Sequence, residues 1–195
     1  MIAADYFEGL HAHEDPFGYR HRWYEARKRA LLLASLTREH YGSGWELGCS
    51  NGVLTHDLAA RCGQLLATDL SARAVMQARR QVAGMQHVRV EQAWHPQQRP
   101  LGRFDLIVCS EMGYYLEPRD LCPLRDCLHE ALEEDGLLVG CHWQVPFAEA
   151  SSTADQVHAA LGHGLQEVFR YEDADVLLQG WARQQVSVAA LEGLR

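Results

Sequence analysis

Three stretches of this chain set small and polar residues where a charged small molecule can be gripped. In Glu46-Leu47-Gly48-Cys49-Ser50-Asn51-Gly52 a short apolar run breaks into a Gly-x-Ser-x-Gly loop. Glycine tolerates positive φ and lets a ligand approach the backbone, and Ser50 is the next-smallest polar choice where nucleotide loops often carry a third glycine. By itself this pattern also fits an ordinary strand-to-helix turn. Asp69 narrows the reading. It ends the next apolar run, Leu65 to Asp69, roughly 20 residues past the loop, where a carboxylate accepts hydrogen bonds from the two hydroxyls of a ribose. The third stretch, Ser110-Glu111-Met112-Gly113-Tyr114-Tyr115, puts a carboxylate and two phenols directly after the apolar run from Phe104.

The elements that must position these residues alternate. Trp23 to Leu36 reads as a helix with Ala26, Ala30, Leu33 and Ala34 on one face. Gly44 to Gly48 is a short strand and Val53 to Arg61 an amphipathic helix. Leu65 to Asp69 is a strand, and Ser71 caps a helix over Ala72 to Val82, its hydroxyl serving the free N–H groups of the first turn. His87 to Ala93 and Phe104 to Ser110 are strands, the latter continuously apolar, as a strand covered on both faces must be. A helix over Leu121 to Leu132 ends at Asp135-Gly136. Leu137 to Trp143 is the next strand and Ser152 to Leu161 a helix. Gln166 to Tyr171 and Asp175 to Arg183 are two strands joined by Glu172-Asp173-Ala174, too short for a parallel crossover and therefore antiparallel. Repeated β-α units predict an α/β fold: a mainly parallel, Rossmann-like sheet with an antiparallel C-terminal pair and helices on both faces. Ligands bind outside the carboxyl ends of such strands. That rule selects Glu46, Gly48, Ser50 and Gly52, then Asp69 and Leu70, then Gln92 and Ala93, then Ser110 and Glu111, and then Cys141-His142-Trp143.

The bulk numbers agree with one domain over 1–195, with 1–22 as an arm or lid of polar and aromatic residues. At 195 residues, 47% hydrophobic and 23% charged, the chain can bury a core without disulfides or a structural metal. The net charge of -8 disfavours attraction to phosphate backbones, so no nucleic-acid partner is expected. The six cysteines form no Cys-x-x-Cys pair and read as buried, reduced thiols. The first residues carry no basic-then-apolar leader and no run approaches the ~18 apolar residues of a membrane span, so a cytoplasmic protein is expected. No His, Cys or carboxylate spacing suits a metal.

Both NAD and S-adenosylmethionine (SAM) present a ribose to a carboxylate at Asp69. The dinucleotide fingerprint wants Gly-x-Gly-x-x-Gly; here the last glycine comes one residue early, and no second domain is left for a substrate. The stretch Trp45-Glu46-Leu47-Gly48-Cys49-Ser50-Asn51-Gly52-Val53-Leu54-Thr55 resembles motif I of the class I SAM-dependent methyltransferases. More narrowly, the chain resembles the nodulation protein S family of N-methyltransferases. That match also rests on Trp23-Tyr24-Glu25-Ala26-Arg27-Lys28, Leu58-Ala59-Ala60-Arg61-Cys62, Phe104 to Glu111 with Tyr114-Tyr115-Leu116, His142-Trp143 and Asp155-Gln156-Val157-His158. It runs from about Trp23 to Trp181. Ser50 departs from the commoner glycine. Gln92 stands where many methyltransferases carry an aspartate for the adenine amino group.

The resemblance implies a SAM cofactor, S-adenosyl-L-homocysteine (SAH) as product, and a small-molecule amine as acceptor, such as an amino sugar or a deacetylated oligosaccharide end. A monomer or homodimer is expected. Methyl transfer draws chiefly on alignment of the two reactants, but an amine must shed its proton first. Glu111 and then His142 are the candidates to orient or deprotonate it, and Tyr115 to wall the reacting centre; His158 is within reach of the same cleft. The resemblance sets the helix of Tyr24, Arg27 and Lys28 near the cofactor entrance. There Arg27 suits the methionyl carboxylate, while Lys28 reads better as part of a solvated basic face. Tyr19 and Trp23 are placed to close the arm. Against this stand an O-methyltransferase acting on a hydroxyl or carboxyl, a SAM-binding module without turnover, a nucleic-acid enzyme disfavoured by charge and by the turn after Ser110, and, weakest, an NAD-binding protein.

Overall fold

The computed structural model describes residues 4–195; the first three, part of the stretch read above as lacking a leader, lie outside it. Seven strands form one sheet: β1 (Tyr41–Leu47), β2 (Cys62–Asp69), β3 (Val88–Gln92), β4 (Phe104–Ser110), β5 (Leu132–Trp143), β6 (Gln166–Glu172) and β7 (Val176–Ala182). Their order is β3-β2-β1-β4-β5-β7-β6. The first five run parallel, and β7 inserts antiparallel between β5 and β6, as the short connection requires. Strand order reverses between β1 and β4. Their carboxyl ends diverge there and open the crevice.

Helices cover both faces. On one, Leu124 and Leu128 of α5 (Pro118–Ala131) and Leu161 of α6 (Ala154–Gly162) meet Trp45, Leu47 and Ile107. On the other, Leu32 of α2 (Trp23–Ser35) and Leu58 of α3 (Val53–Ala59) meet Leu65, Leu106, Val108 and Val139. Ser71 caps α4 (Ala72–Gln81) by accepting the Ala74 N–H, and Thr153 with Gln156 forms a capping box on α6. No helix among the described residues is long and apolar enough to cross a membrane.

Four features differ from the sequence reading. The arm contains a helix, α1 (Ala4–Leu10), too short to stand by periodicity alone. It is held by tertiary bonds: the Glu8 carboxylate accepts from the Ser71 hydroxyl and the Ala72 and Arg73 N–H groups at the start of α4. In α2 the buried face is Glu25, Lys28 and Leu32, not the alanines; Ala30 and Ala34 face solvent. β5 starts at Leu132, so Asp135-Gly136 is an excursion within the strand, with Phe104 opposite Leu132 and Leu106 already opposite Leu137. Finally, Cys122 is exposed, while the other five thiols are buried and unpaired.

Candidate active site

A cavity of about 380 Å³ opens at the carboxyl ends of the strands and is roofed by the N-terminal arm. Its floor is the loop after β1. Gly48 and Gly52 have φ of 69° and 79°, and Ser50 itself takes a φ of 48°. A Cβ on Gly48 would come within 2.9 Å of Met112 Cβ, and one on Gly52 within 2.7 Å of Ala78 Cα, so both positions need glycine for space as well as for φ. Asp69 ties the loop to β2: its Oδ2 accepts the Ser50 N–H and its Oδ1 the Ser71 N–H, each at 2.9 Å. Burial raises the Asp69 pKa, while these backbone donors oppose the rise.

The arm reaches this floor directly. His11 Nε2 lies 2.9 Å from Ser50 Oγ, Asn51 Nδ2 donates to the Glu14 carbonyl and the Asp15 carboxylate, and Gln77 Nε2 donates to the carbonyls of His11 and His13. The arm contributes Phe7, Phe17 and Tyr19 to the lining, with Phe7 edge-on to Tyr115 at 4.9 Å between centroids.

The far wall is a charge cluster. Lys28 is only 5% exposed, and its Nζ lies 2.5 Å from Glu111 Oε1 and 2.8 Å from Glu25 Oε2. Burial by itself would lower the Lys28 pKa, but Glu111 and Glu25 outweigh it and the ammonium is held charged. Glu111 Oε2 accepts the Tyr114 hydroxyl at 2.6 Å and the Trp143 N–H at 2.9 Å. Both of its oxygens are thus engaged. Glu111 sits at a φ of 56°, a conformation few non-glycine residues adopt, which turns its carboxylate into the cavity. Glu25 differs: among the described residues Lys28 is its one charged partner at contact distance, and burial raises its pKa. Glu46 lies in a smaller recess beside the cavity with Ser110, and burial lifts its carboxyl to about 8.

Of the residues selected from sequence, Tyr24, Gly48, Ser50, Asp69, Leu70, Ala93, Glu111 and Tyr115 converge on the cavity, and Glu46 and Ser110 on the adjoining recess. Gly52 shapes the loop without lining either. Six assignments need correction: His142, His158, Arg27, Gln92, Lys28 and Trp23. His142 is fully buried beneath the Gly113–Tyr115 turn: its Nε2 accepts the Gly113 N–H and its Nδ1 meets His158 Nε2 at 2.9 Å. Burial drops its pKa to about 3, and neither it nor His158 lines the cavity. The alternation of β5 decides this, since its neighbour Trp143 supplies the lining instead. Arg27 turns away to Asp173 and Tyr171, because an ionised partner lies on that side of α2. Gln92 is exposed and gives its amide to the Leu70 carbonyl. Lys28 belongs to no solvated face, and Trp23 is 77% exposed rather than part of a closure. Sequence reasoning missed Glu25 and His95 in the lining. Glu25 and Lys28 at i and i+3 were a visible pair; His95 lies in an irregular loop with no periodic signal.

The comparisons with known proteins agree with this geometry. The family model for nodulation protein S (NodS) matches residues 5–163. A nodulation protein S from Sinorhizobium fredii (strain NBRC 101917 / NGR234) is 31% identical over 119 residues, which is 60% of this chain and 54% of that protein. A second from Rhizobium tropici is 31% identical over 106 residues, 54% of this chain and 44% of that protein, so the chain matches about half the length of these curated relatives. A Pseudomonas syringae protein assigned to the methyltransferases is 47% identical in its crystal structure, with TM-score 0.74, covering 83% of this chain and 100% of that one. The N-methyltransferase NodS from Bradyrhizobium japonicum WM9, in complex with SAH, is 27% identical with TM-score 0.85, covering 91% of this chain and 96% of that one. Since that family model spans most of the sequence, the chain belongs to the nodulation protein S family.

Proposed function

We propose that this protein is a SAM-dependent methyltransferase that methylates the amine of a small molecule, an amino sugar or the deacetylated end of an oligosaccharide. The observation that carries this reading is the cavity itself, in which the Ser50–Asp69 tether borders the Glu25–Lys28–Glu111 cluster. The residues suit SAM. Asp69 is buried beside Leu70 and Ala93, with lone pairs left for ribose hydroxyls; Gly48 leaves no Cβ in the way of the cofactor; and Glu46 is a buried carboxyl that an ammonium would ionise. SAM supplies an activated methyl group on a sulfonium.

The chain's own work is to place and deprotonate the acceptor. An amine arrives as an ammonium and must lose its proton before its lone pair is free. Glu25 is suited to take it, because its basicity is raised by burial and it carries fewer bonds than Glu111. Glu111 holds Lys28 in place and contributes negative charge to the site. Tyr24, Tyr115 and Trp143 line the cavity and give it the aromatic surface on which the C–H edges of a sugar can pack.

Calorimetric titration with SAM, SAH and NAD tests the cofactor. NAD binding without a SAM response overturns the reading. Labelled methyl transfer across amino sugars, polyamines and hydroxylated acceptors tests the acceptor. Label on hydroxyl acceptors alone overturns the amine assignment.

A further inference from the structure

His142 does not line the cavity, yet it sits between the two β5 residues that hold the cavity's Glu111. Glu111 N–H donates to the Cys141 carbonyl at 2.9 Å, and Trp143 N–H donates to Glu111 Oε2 at 2.9 Å. Between these two points His142 Nε2 accepts the Gly113 N–H at 3.2 Å. Consecutive residues of β5 thus clasp the segment from Glu111 to Gly113, His142 through its side chain. Gly113 has no room for a side chain of its own here: a Cβ would lie 3.1 Å from His142 Nε2 and closer still to Val157. The clasp matters because Glu111 is held at a φ of 56°. A non-glycine residue in that region costs about 1–3 kcal/mol and stays there only where its surroundings over-determine it.

The hydrogen bonds behind His142 fix where its proton sits. A backbone N–H only donates, so His142 Nε2 is bare. Burial lowers the pKa of the ring to about 3, so it is neutral and carries its proton on Nδ1. That atom lies 2.9 Å from His158 Nε2, which must accept. Burial lowers the His158 pKa as well, so its proton is on Nδ1, 2.7 Å from Gln179 Oε1. Gln179 Nε2 donates at 2.7 Å to Glu167, an exposed carboxylate that only accepts. From Gly113 to the surface every donor faces an acceptor, and the peptide N–H at one end demands the same order as the carboxylate at the other. The reverse order would set an N–H of His142 against the N–H of Gly113.

We infer that His142 is a positioning residue for methyl transfer: by accepting the Gly113 N–H it keeps Glu111 turned into the cavity against Lys28, and the chain through His158 and Gln179 to Glu167 keeps the accepting nitrogen bare. This role rests on the reading above, in which Glu111 supplies negative charge to the acceptor's side of the site. Without the bond the Gly113 N–H is buried with no acceptor, the turn relaxes, and Glu111 leaves the left-handed region. Its carboxylate then leaves Lys28, whose ammonium loses the closer of its two partners. The loop from Gly48 to Gly52 is tied to Asp69 of β2 and keeps its form. The loss therefore falls on transfer to the acceptor and not on cofactor binding.

The test compares the wild type with His142→Leu and His142→Gln. Glutamine keeps an oxygen to accept the Gly113 N–H and an amide to donate to His158; leucine keeps neither. With labelled SAM and glucosamine, His142→Leu should lower kcat about tenfold, the effect of one buried hydrogen bond, while SAH binding by calorimetry shifts by less than about twofold. His142→Gln should recover to within about threefold of the wild type. Lys28 is the only lysine in the chain, so its acetylation by acetic anhydride, followed by peptide mass spectrometry, gives a readout that needs no acceptor. Its rate should rise about tenfold in His142→Leu and stay near the wild-type rate in His142→Gln. Full activity with a protected Lys28 in His142→Leu overturns the inference. So does a parallel loss of SAH binding, which marks a merely structural role, or a failure of His142→Gln to rescue. Should the leucine variant fail to fold, Glu167→Ala reads the same chain from its exposed end: kcat should fall about threefold with SAH binding unchanged, and an unchanged kcat and Lys28 rate overturn the inference. If the wild type transfers no methyl to glucosamine, the amino-sugar reading falls, and Lys28 acetylation still decides the role of His142.

Discussion

Lys28 Nζ stands 2.5 Å from Glu111 Oε1, joining a helix before the sheet to the turn after its fourth strand, a separation of 83 residues in sequence. The same ammonium holds Glu25 at 2.8 Å. Removing it leaves two carboxylates in a desolvated wall. Breaking one side of a buried pair typically costs ~3–5 kcal/mol. Lys28→Met should therefore lower stability by about 3 kcal/mol at pH 7 in chemical denaturation. The deficit should shrink as pH falls, because burial already raises the Glu25 carboxyl and its protonation removes an unpaired charge. A Lys28→Met chain as stable as the wild type at pH 7 would show that the cluster is hydrated rather than paired.

Glu46 predicts a proton linkage. Burial lifts its carboxyl to about 8 in the folded chain. Because the folded value is raised, its contribution to stability is fully present below the unfolded value and is lost as pH rises through about 8. Glu46→Gln should therefore gain stability relative to the wild type between pH 5 and pH 9. If Glu46 receives the methionyl ammonium, SAM binding to the wild type at pH 7 should release a proton, read as a dependence of the calorimetric heat on buffer ionisation enthalpy. The Glu46→Gln chain should release none.

His142 and His158 form the inner part of a polar chain. His142 donates through Nδ1 to His158, whose Nδ1 donates to Gln179 Oε1 at 2.7 Å, and Gln179 donates to Glu167 at 2.7 Å. Burial lowers the pKa of both imidazoles, His142 to about 3. Depressed histidines contribute stability above their unfolded value, and that contribution is lost as pH falls below about 6.5. His158→Leu should make this acid loss shallower between pH 6.5 and pH 4. At pH 7.5 it should cost about 2 kcal/mol, because the His142 Nδ1–H loses its acceptor. Denaturation at four pH values separates the two effects.

Gly52 is required twice over, for its φ of 79° and for the 2.7 Å approach of a Cβ to Ala78 Cα. Gly52→Ala should push α3 from α4 and cost about 2 kcal/mol of stability. It should also weaken SAM binding, since the Ser50–Asp69 tether lies in the same loop. An unchanged melting temperature would contradict this.

Much of the fold was legible in the sequence because its signals are local. Glycines break β1 at the loop, the Ser71 cap starts α4, and three residues between the last strands forbid a parallel crossover. The spacing from Gly48 to Asp69 works the same way, since strand-loop-helix lengths alone bring a second-strand carboxylate to the first loop. What only the tertiary structure decided concerns side chains whose partners lie far off in sequence. Lys28 is buried because Glu111 arrives from 83 residues away to neutralise it, so a helix face that reads as solvated becomes the site's wall. His142 leaves the site because the alternation of β5 turns it under the Gly113 turn. His95 enters its lining on a loop with no periodicity. Periodicity reports which residues share a face; it carries no information about which charge or hydrogen-bond donor will stand opposite, and in this protein that pairing determines the site.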